Sequence, residues 1–408
     1  MKKLFSVFAA LLLFFFNASA QQSFSLPGKW RGSFPLKSGG EIPFSFEIKG
    51  GSAANATLYF INAGESYPGG SVIQKGDSVY VSLDQFDNLL ALGISSDQSL
   101  NGFLRKQNGK GTPIPVTASK KIITRFPTTG VKPVADISSR YDVVFTNDSG
   151  RQTRAVGIFK QKDNALSATF LRVTGDSRYS EGIIEGNLFS LSVFIGSSPT
   201  LFTGTVNADG SITGNQVGLR SKQSFTAIKN EQAQLPDAYS LTALKEKEAR
   251  FNFAFKNIEG KLITLDDARY KNKPVIVTIG GTWCPNCADE AAFLSDWYRK
   301  NKNRGIEIIA IQFEVLNDFN YAQQQMSRFK KRFNISYEQV FGGLAENAKV
   351  QEALPALEKF ISYPTTLFIN RNGKVNKIHT GFTGPATGKF YTEFIKEFNA
   401  EADLLLKN

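Results

Sequence analysis

The two cysteines of this 408-residue chain lie in one short stretch, Gly280-Gly281-Thr282-Trp283-Cys284-Pro285-Asn286-Cys287. An apolar run, residues 275–279, precedes it, and residues 288–302 after it have a helical composition. A strand that passes through a glycine-containing turn into a helix places the last turn residue at the helix N-terminus, where unpaired N–H groups favour an anion. A thiolate is such an anion, so Cys284 is predicted to be the attacking sulfur. Cys287 lies one helical turn further on, close enough to form a disulfide, and the pair therefore predicts dithiol–disulfide exchange.

Other uses of two cysteines fit this sequence less well. A structural zinc site needs four nitrogen or sulfur ligands, and the chain offers two cysteines and one histidine, His379. Haem attachment requires histidine directly after the second cysteine, where this chain has Ala288. A purely structural disulfide stays as an alternative, although so small a loop adds little stability. We predict a redox-active Cys284–Cys287 disulfide, with no metal and no other cofactor.

The charge balance favours a solvated basic surface over a nucleic-acid site. The chain carries 48 Lys and Arg against 36 Asp and Glu, a formal net charge of +12. These cations are scattered along the sequence, and the densest run is only Lys330-Lys331-Arg332. No nucleic-acid partner is therefore predicted, whereas attraction to an anionic membrane or to acidic proteins stays open.

Residues 1–20 have the three parts of a secretory signal peptide. Lys2 and Lys3 form the charged start, residues 4–16 are apolar, and Ala18-Ser19-Ala20 is a typical cleavage site. The apolar stretch is short for a membrane span, so an uncleaved anchor is the less favoured alternative. We expect export, to a bacterial periplasm. Two cysteines in a large exported chain do not make a disulfide framework, which indicates that they are retained for reactivity.

Residues 21–230 have the composition of β structure and are predicted to form two copies of one module. Short alternating runs are separated by Gly, Asn, Asp and Ser. Similar segments recur about 112 residues apart, such as 97–102 with 209–214 and 56–59 with 168–171. The fold class predicted is therefore two repeated antiparallel β modules, barrel-like or sandwich-like, followed by an α/β domain. The predicted boundaries are 21–126 and 137–230 for the modules and 231–246 for a linker.

The remaining residues, 247–408, have the pattern of an α/β domain. Strands are predicted at 275–279 and 306–313, and the near-continuous apolar run of the second suits a central parallel strand. A hairpin is predicted over 365–370 and 374–379 because Asn372-Gly373 is a strong turn signal. Helices are predicted at 288–302, 320–333, 354–360 and 390–406. This order of elements is typical of a thioredoxin-like domain.

With these motifs in place, residues 247–408 resemble the TlpA-like thioredoxin-fold proteins of the AhpC/TSA–thioredoxin superfamily, which are exported thiol–disulfide oxidoreductases. The run Trp283-Cys284-Pro285-Asn286-Cys287 is similar to their W-C-x-x-C centre, and Glu290 matches a common acidic residue. The segment Tyr363-Pro364-Thr365-Thr366 is similar to the one that carries their cis-proline. The β-rich first half resembles that of uncharacterised exported members and indicates little about activity.

The resemblance implies roles for six residues. Cys284 and Cys287 would form the redox-active disulfide. A cis-proline at Pro364 would leave the Tyr363 backbone free to pair with a substrate strand, with Trp283 packed beside the dithiol; an ordinary trans-proline is the alternative. The sixth residue, Glu290, would accept the Cys287 proton when the mixed disulfide is resolved. The alternative for this carboxylate is a solvated position on the helix.

Departures from familiar patterns refine this expectation. Thioredoxin carries a buried aspartate six residues before its first cysteine, and this chain has Thr278 there, which shifts the proton-transfer role toward Glu290. The Pro285-Asn286 dipeptide lacks the histidine of strongly oxidising relatives, which favours a reductase over an oxidase. His379 is predicted to be structural.

Three functions are compatible with these residues. The preferred one is an exported protein-disulfide reductase that is recharged by a membrane thiol donor and acts through a mixed disulfide. A thiol peroxidase is a second candidate, although such enzymes carry threonine three residues before the reactive cysteine, where this chain has Gly281. The third is a binding protein whose β modules capture a ligand or a partner.

Overall fold

The computed structural model describes residues 25–50, 55–83, 86–95, 99–246 and 249–407. The predicted signal peptide, residues 1–20, lies outside these ranges. Among the residues that are described, none of the helices is both long and apolar enough to cross a membrane.

The first β module is a closed barrel of eight antiparallel strands. Each strand pairs with its neighbour in sequence, and the first strand also pairs with the eighth, which closes the barrel. The strands are β1 Gly28–Pro35, β2 Glu41–Lys49, β3 Ala56–Asn62, β4 Glu65–Lys75, β5 Ser78–Leu83, β6 Asn88–Ser95, β7 Ser99–Lys106 and β8 Ile114–Ser119.

The second β module is also an eight-stranded antiparallel barrel, with one extra two-residue strand, β12, paired to the end of β11. Pairing of β9 with both β10 and β17, and of β10 with β11, closes it. The strands are β9 Ser139–Asn147, β10 Gln152–Lys162, β11 Ala165–Arg172, β12 Gly175–Asp176, β13 Ser180–Glu185, β14 Leu188–Val193, β15 Thr200–Val206, β16 Ile212–Gly218 and β17 Lys222–Lys229.

The two barrels repeat one another, as the sequence predicted. Strand β6 begins at Asn88 and β15 begins at Thr200, which is 112 residues further along the chain. The fold class predicted for this half of the chain is thereby confirmed, and the barrel is the form it takes.

The two barrels are joined because a loop of the second one fills the end of the first. Phe194, directly after β14, is 1% exposed and belongs to the core of the first barrel. Its ring centroid lies 4.8 Å from those of Phe34 and Phe44 and 4.9 Å from that of Phe60. The Asn62 amide donates to the Phe194 carbonyl oxygen at 3.2 Å. The interior of the first barrel is therefore packed with aromatic rings, one of which, Phe194, comes from the second barrel.

Replacing Phe194 by alanine is expected to lower the free energy of unfolding of the barrel pair by about 3–5 kcal/mol, because the cavity cannot collapse within a closed barrel. Denaturant titration followed by circular dichroism measures this loss. Leu188→Ala is the matched control, since Leu188 is 59% exposed and a surface change of this kind costs about 0.5 kcal/mol or less. Equally small losses of unfolding free energy in both variants would contradict the packing of Phe194 inside the first barrel.

The C-terminal domain is built on a seven-stranded mixed sheet with the order β19-β18-β22-β21-β20-β23-β24. Strands β20, β21 and β22 are parallel, and β23 runs antiparallel to β20. The strands are β18 Phe255–Asn257, β19 Leu262–Ile263, β20 Val275–Gly280, β21 Glu307–Glu314, β22 Glu338–Leu344, β23 Thr365–Ile369 and β24 Val375–Thr380.

Four helices cover the two faces of this sheet. Helices α1, α2 and α4 pack on one face around Leu294, Phe329 and Phe398, while α3 and the segment 354–360 cover the other. Three of the helices lie close to their predicted positions. The helices are α1 Pro285–Asn301, α2 Phe319–Phe333, α3 Asn347–Ala353 and α4 Lys389–Lys407.

Two expectations for this domain were wrong. Residues 354–360 do not form a helix, because Pro355 disfavours helical geometry at Leu354, and α3 ends just before them. Strand β22 was missed because its sequence, EQVFGGL, contains two polar residues and two glycines. Gly342 is required there, since a Cβ atom would lie 2.6 Å from the Phe313 ring.

Candidate active site

The two cysteines are joined in a disulfide at the start of α1. Cys284 is the N-cap residue of this helix, with an extended backbone. The two Cα atoms lie 5.2 Å apart, and the Cys287 N–H donates to the Cys284 sulfur at 3.2 Å. The sulfur of Cys284 therefore occupies the position where the helix N-terminus stabilises negative charge.

The turn that presents Cys284 is fixed from behind by β21. The indole N–H of Trp283 donates to the Phe313 carbonyl oxygen at 2.9 Å. A Cβ atom at Gly281 would lie 2.4 Å from that indole nitrogen and 2.6 Å from the same carbonyl oxygen. Only glycine fits at position 281, and the turn cannot carry a threonine hydroxyl there.

The segment containing Pro364 forms the opposite wall. The Tyr363–Pro364 peptide bond is cis, as the resemblance implied. The Tyr363 carbonyl oxygen lies 3.9 Å from the Cys284 sulfur, and the Tyr363 and Trp283 rings meet edge to face at 5.4 Å. The structure therefore brings Trp283, Tyr363 and Pro364 to the dithiol. Cys284 is 6% exposed, so the approach to its sulfur is narrow.

Glu290 is buried between α1 and strands β20 and β23, and not on the solvated face of α1. It is 4% exposed, and the hydroxyl of Thr366 donates to one of its carboxylate oxygens at 2.6 Å, while that of Thr278 donates to the other. Burial raises the pKa of Glu290 to about 7, although both hydrogen bonds favour the charged form. This carboxyl can both hold and release a proton near neutral pH.

A second buried carboxyl, Glu314, was not singled out from the sequence. It lies at the end of β21, is 0% exposed, and accepts hydrogen bonds from the N–H and hydroxyl of Thr282 at 3.1 and 2.9 Å. Burial raises its pKa to about 7. A lone carboxylate directly after the apolar run 306–313 was the available signal. Glu314 anchors the turn next to Trp283.

His379 is packed away from the dithiol. Its Nδ1 lies 3.0 Å from the Gly381 carbonyl oxygen, and its ring meets those of Tyr239 and Phe394. Burial lowers its pKa to about 4, so it is neutral at pH 7. Within the part of the chain that is described, no three His, Cys, Asp or Glu side chains cluster as metal ligands would.

Comparison with known proteins assigns this region. Residues 247–378 match the model of the AhpC/TSA family. The C-terminal region is an AhpC/TSA-family domain. Thiol-disulfide oxidoreductase ResA of Halalkalibacterium halodurans is 28% identical over 38% of this chain and 78% of its own length. ResA of Bacillus thuringiensis is 30% identical over 30% of this chain, which spans 63% of that relative. These names confirm the predicted enzyme class.

A solved structure is also similar to part of this chain. A thiol:disulfide interchange protein of the thioredoxin family from Chlorobium tepidum is 20% identical, the match covers 40% of this chain and 99% of that protein, and the TM-score is 0.30. The family match extends over residues 247–378, so both barrels lie outside it.

Proposed function

We propose that the chain is an exported thiol–disulfide oxidoreductase that reduces disulfides through its Cys284–Cys287 dithiol. The observation that carries this proposal is the Cys284 sulfur at the N-cap of α1, accepting the Cys287 N–H and facing the cis-peptide of Tyr363. The oxidoreductase names of the relatives support it. Export is supported by the signal-like residues 1–20.

The proposed reaction transfers two electrons in two steps. The Cys284 thiolate attacks one sulfur of a substrate disulfide, which breaks the substrate S–S bond, forms a mixed disulfide and releases one substrate thiolate. Glu290 then accepts the proton of the Cys287 thiol, and the resulting thiolate attacks the Cys284 sulfur. That attack closes the internal disulfide and releases the second substrate thiolate, so the substrate is reduced and the dithiol oxidised.

Trp283, Tyr363 and Pro364 would hold a protein substrate during these steps. An extended segment of that protein could pair with the Tyr363 backbone beside Cys284 while its side chains contact the Trp283 ring. An exported dithiol, such as a membrane thiol carrier, would then return the enzyme to its reduced form. The absence of a histidine between the cysteines supports the reductase direction.

Two alternatives have less structural support. A peroxidase would need a hydroxyl at position 281, and the space there excludes a side chain. A ligand-binding role for the barrels would need an interior cavity. Phe194 fills part of the first barrel, and Phe145, Phe159 and Phe170 are fully buried in the core of the second. These packed interiors favour the barrels as a scaffold.

The test mixes stoichiometric reduced protein with insulin, oxidised glutathione or hydrogen peroxide. We expect a protein or small-molecule disulfide to be reduced while Cys284 and Cys287 form their disulfide, as measured by mass spectrometry after alkylation. Consumption of peroxide much faster than of either disulfide would transfer the assignment to a peroxidase. Failure to oxidise the dithiol with any disulfide would overturn the proposal.

A further inference from the structure

A hairpin of the second barrel touches Asn286, one of the two residues that separate the cysteines. Strands β11 and β12 are joined by the two-residue turn Val173-Thr174. The Asn286 amide donates to the Thr174 carbonyl oxygen at 3.3 Å. A Cβ atom at Gly175 would lie 2.1 Å from the Asn286 amide nitrogen. The hairpin backbone is therefore seated directly against the Cys-Pro-Asn-Cys turn.

The same hairpin reaches the segment beside the cis-proline. A Cβ atom at Gly381 would lie 2.4 Å from the Val173 carbonyl oxygen. The Gly381 N–H donates to the Pro364 carbonyl oxygen at 2.8 Å. The hairpin thus spans from Asn286 to the chain next to Pro364 and covers that side of the dithiol.

Buried charges hold the hairpin in this place. Arg178, just after β12, is 7% exposed and forms ion pairs with Asp289 of α1 and Glu65 of β4. Its guanidinium also lies 4.7 Å from the centroid of the Tyr67 ring. The Asp176 carboxylate accepts the Gly384 N–H at 2.7 Å. One arginine therefore links both barrels to the active-site helix. Removing one partner of such a buried ion pair strongly destabilises the folded protein.

The first barrel also contacts α2 of the same domain. Asp87 forms an ion pair with Arg328 of α2 at 3.3 Å and accepts the Tyr321 hydroxyl at 3.4 Å. The Arg332 guanidinium donates to the Pro68 carbonyl oxygen. Both barrels are therefore docked on the AhpC/TSA-family domain, and the hairpin is held against this domain by side-chain contacts.

We infer that the β11–β12 hairpin is a specificity-determining wall, clamped by Arg178, that admits small disulfides and flexible extended segments to Cys284 and excludes bulky folded proteins. The inference rests on the proposed function. The hairpin occupies the side of Asn286, which leaves the side of Trp283 and Tyr363 for the approach of a substrate. The barrels then act in the reaction by limiting which disulfides reach the sulfur.

The test removes both partners of the Arg178–Asp289 ion pair, while the Glu65 side chain, 20% exposed, keeps contact with water. In the double variant Arg178→Gln/Asp289→Asn, the rate of insulin reduction is expected to rise about tenfold, because a bulky substrate depends on how often the hairpin opens. Reduction of oxidised glutathione should change by less than about twofold, since a small disulfide already has access. Arg304→Gln/Asp403→Asn is the matched control, an exposed ion pair within the same chain.

Alkylation of Cys284 in the reduced protein measures access without relying on activity. Iodoacetamide and a maleimide carrying a large polyethylene glycol are compared. The double variant Arg178→Gln/Asp289→Asn should raise the alkylation rate of the large reagent relative to that of iodoacetamide about tenfold. The control variant should leave this ratio unchanged. A changed alkylation ratio in a protein that reduces no disulfide would overturn the proposed function but support the role of the hairpin as a barrier. An unchanged alkylation ratio in a folded, active variant would overturn only the role of the hairpin.

A milder variant keeps the test decisive if the double variant does not fold. Glu65→Gln removes one arm of the clamp and leaves the Arg178–Asp289 pair in place. We expect the rate of insulin reduction and the alkylation ratio of the large to the small reagent each to rise roughly threefold. A fall in insulin reduction with an unchanged alkylation ratio would show that the hairpin binds substrate and would overturn its role as a barrier.

Discussion

Replacing Cys284 by serine is expected to lower the rate of disulfide reduction by roughly 10³-fold or more, because serine is not ionised at neutral pH and forms no mixed disulfide. The sequence contains one other cysteine, Cys287, which is 4% exposed and lies behind the first. It cannot take over the attack from that position. Insulin reduction with a dithiol as electron donor measures the loss.

The companion variant, Cys287→Ser, should fail at the second step. Cys284 still attacks, but nothing resolves the mixed disulfide, so the substrate stays covalently bound. Mass spectrometry of the trapped species would identify the substrate. Both variants are compared with the reduced wild type, because only the reduced protein has a free Cys284 thiolate to attack a disulfide. Equal activity of wild type and Cys284→Ser would remove the dithiol from the mechanism.

Local sequence patterns located the chemistry because the chemistry is local. The disulfide needs two cysteines one turn apart at a helix start, and residues 284–287 show this directly. The hairpin of β23 and β24 follows from the turn chemistry of Asn372-Gly373, and the repeated barrels follow from a recurring spacing. For the disulfide and the hairpin, a few neighbouring residues determine the outcome.

What the sequence did not reveal depends on contacts between distant residues. Arg178 meets Asp289 across 111 positions and Glu65 across 113, and no local pattern marks these pairs. Strand β22 forms because β21 and β18 are available on either side of it, despite its two glycines. Glu290 could be expected at the site from its spacing, but its partner Thr278 is identified only when β20 packs beneath α1.

The Glu290–Thr278 contact leads to the second large effect. Only the charged carboxylate can accept the Cys287 proton, and burial raises the pKa of Glu290 to about 7. Resolution of the mixed disulfide should therefore accelerate as pH rises through about 7. Glu290→Gln should slow this step by roughly 10²-fold and move its pH dependence up to that of the thiol itself. Stopped-flow measurement of the second thiol release between about pH 5.5 and 9 records both changes.

Thr278→Val supplies the graded control for this variant. The Thr278 hydroxyl donates to the charged carboxylate, so its removal should raise the pKa of Glu290 further and shift the midpoint of resolution upward without abolishing the step.

The pH dependence of folding stability gives an independent check on the direction in which the pKa of Glu290 is shifted. The folded-state pKa of Glu290 is above its ordinary value of 4.5, so this group stabilises the fold below pH 4.5 and loses that contribution as pH rises through about 7. Glu290→Gln should therefore unfold at or above the wild-type temperature at pH 8, which separates slow resolution from a damaged fold. A pH profile identical in all three proteins would show that the Cys287 proton leaves by another route.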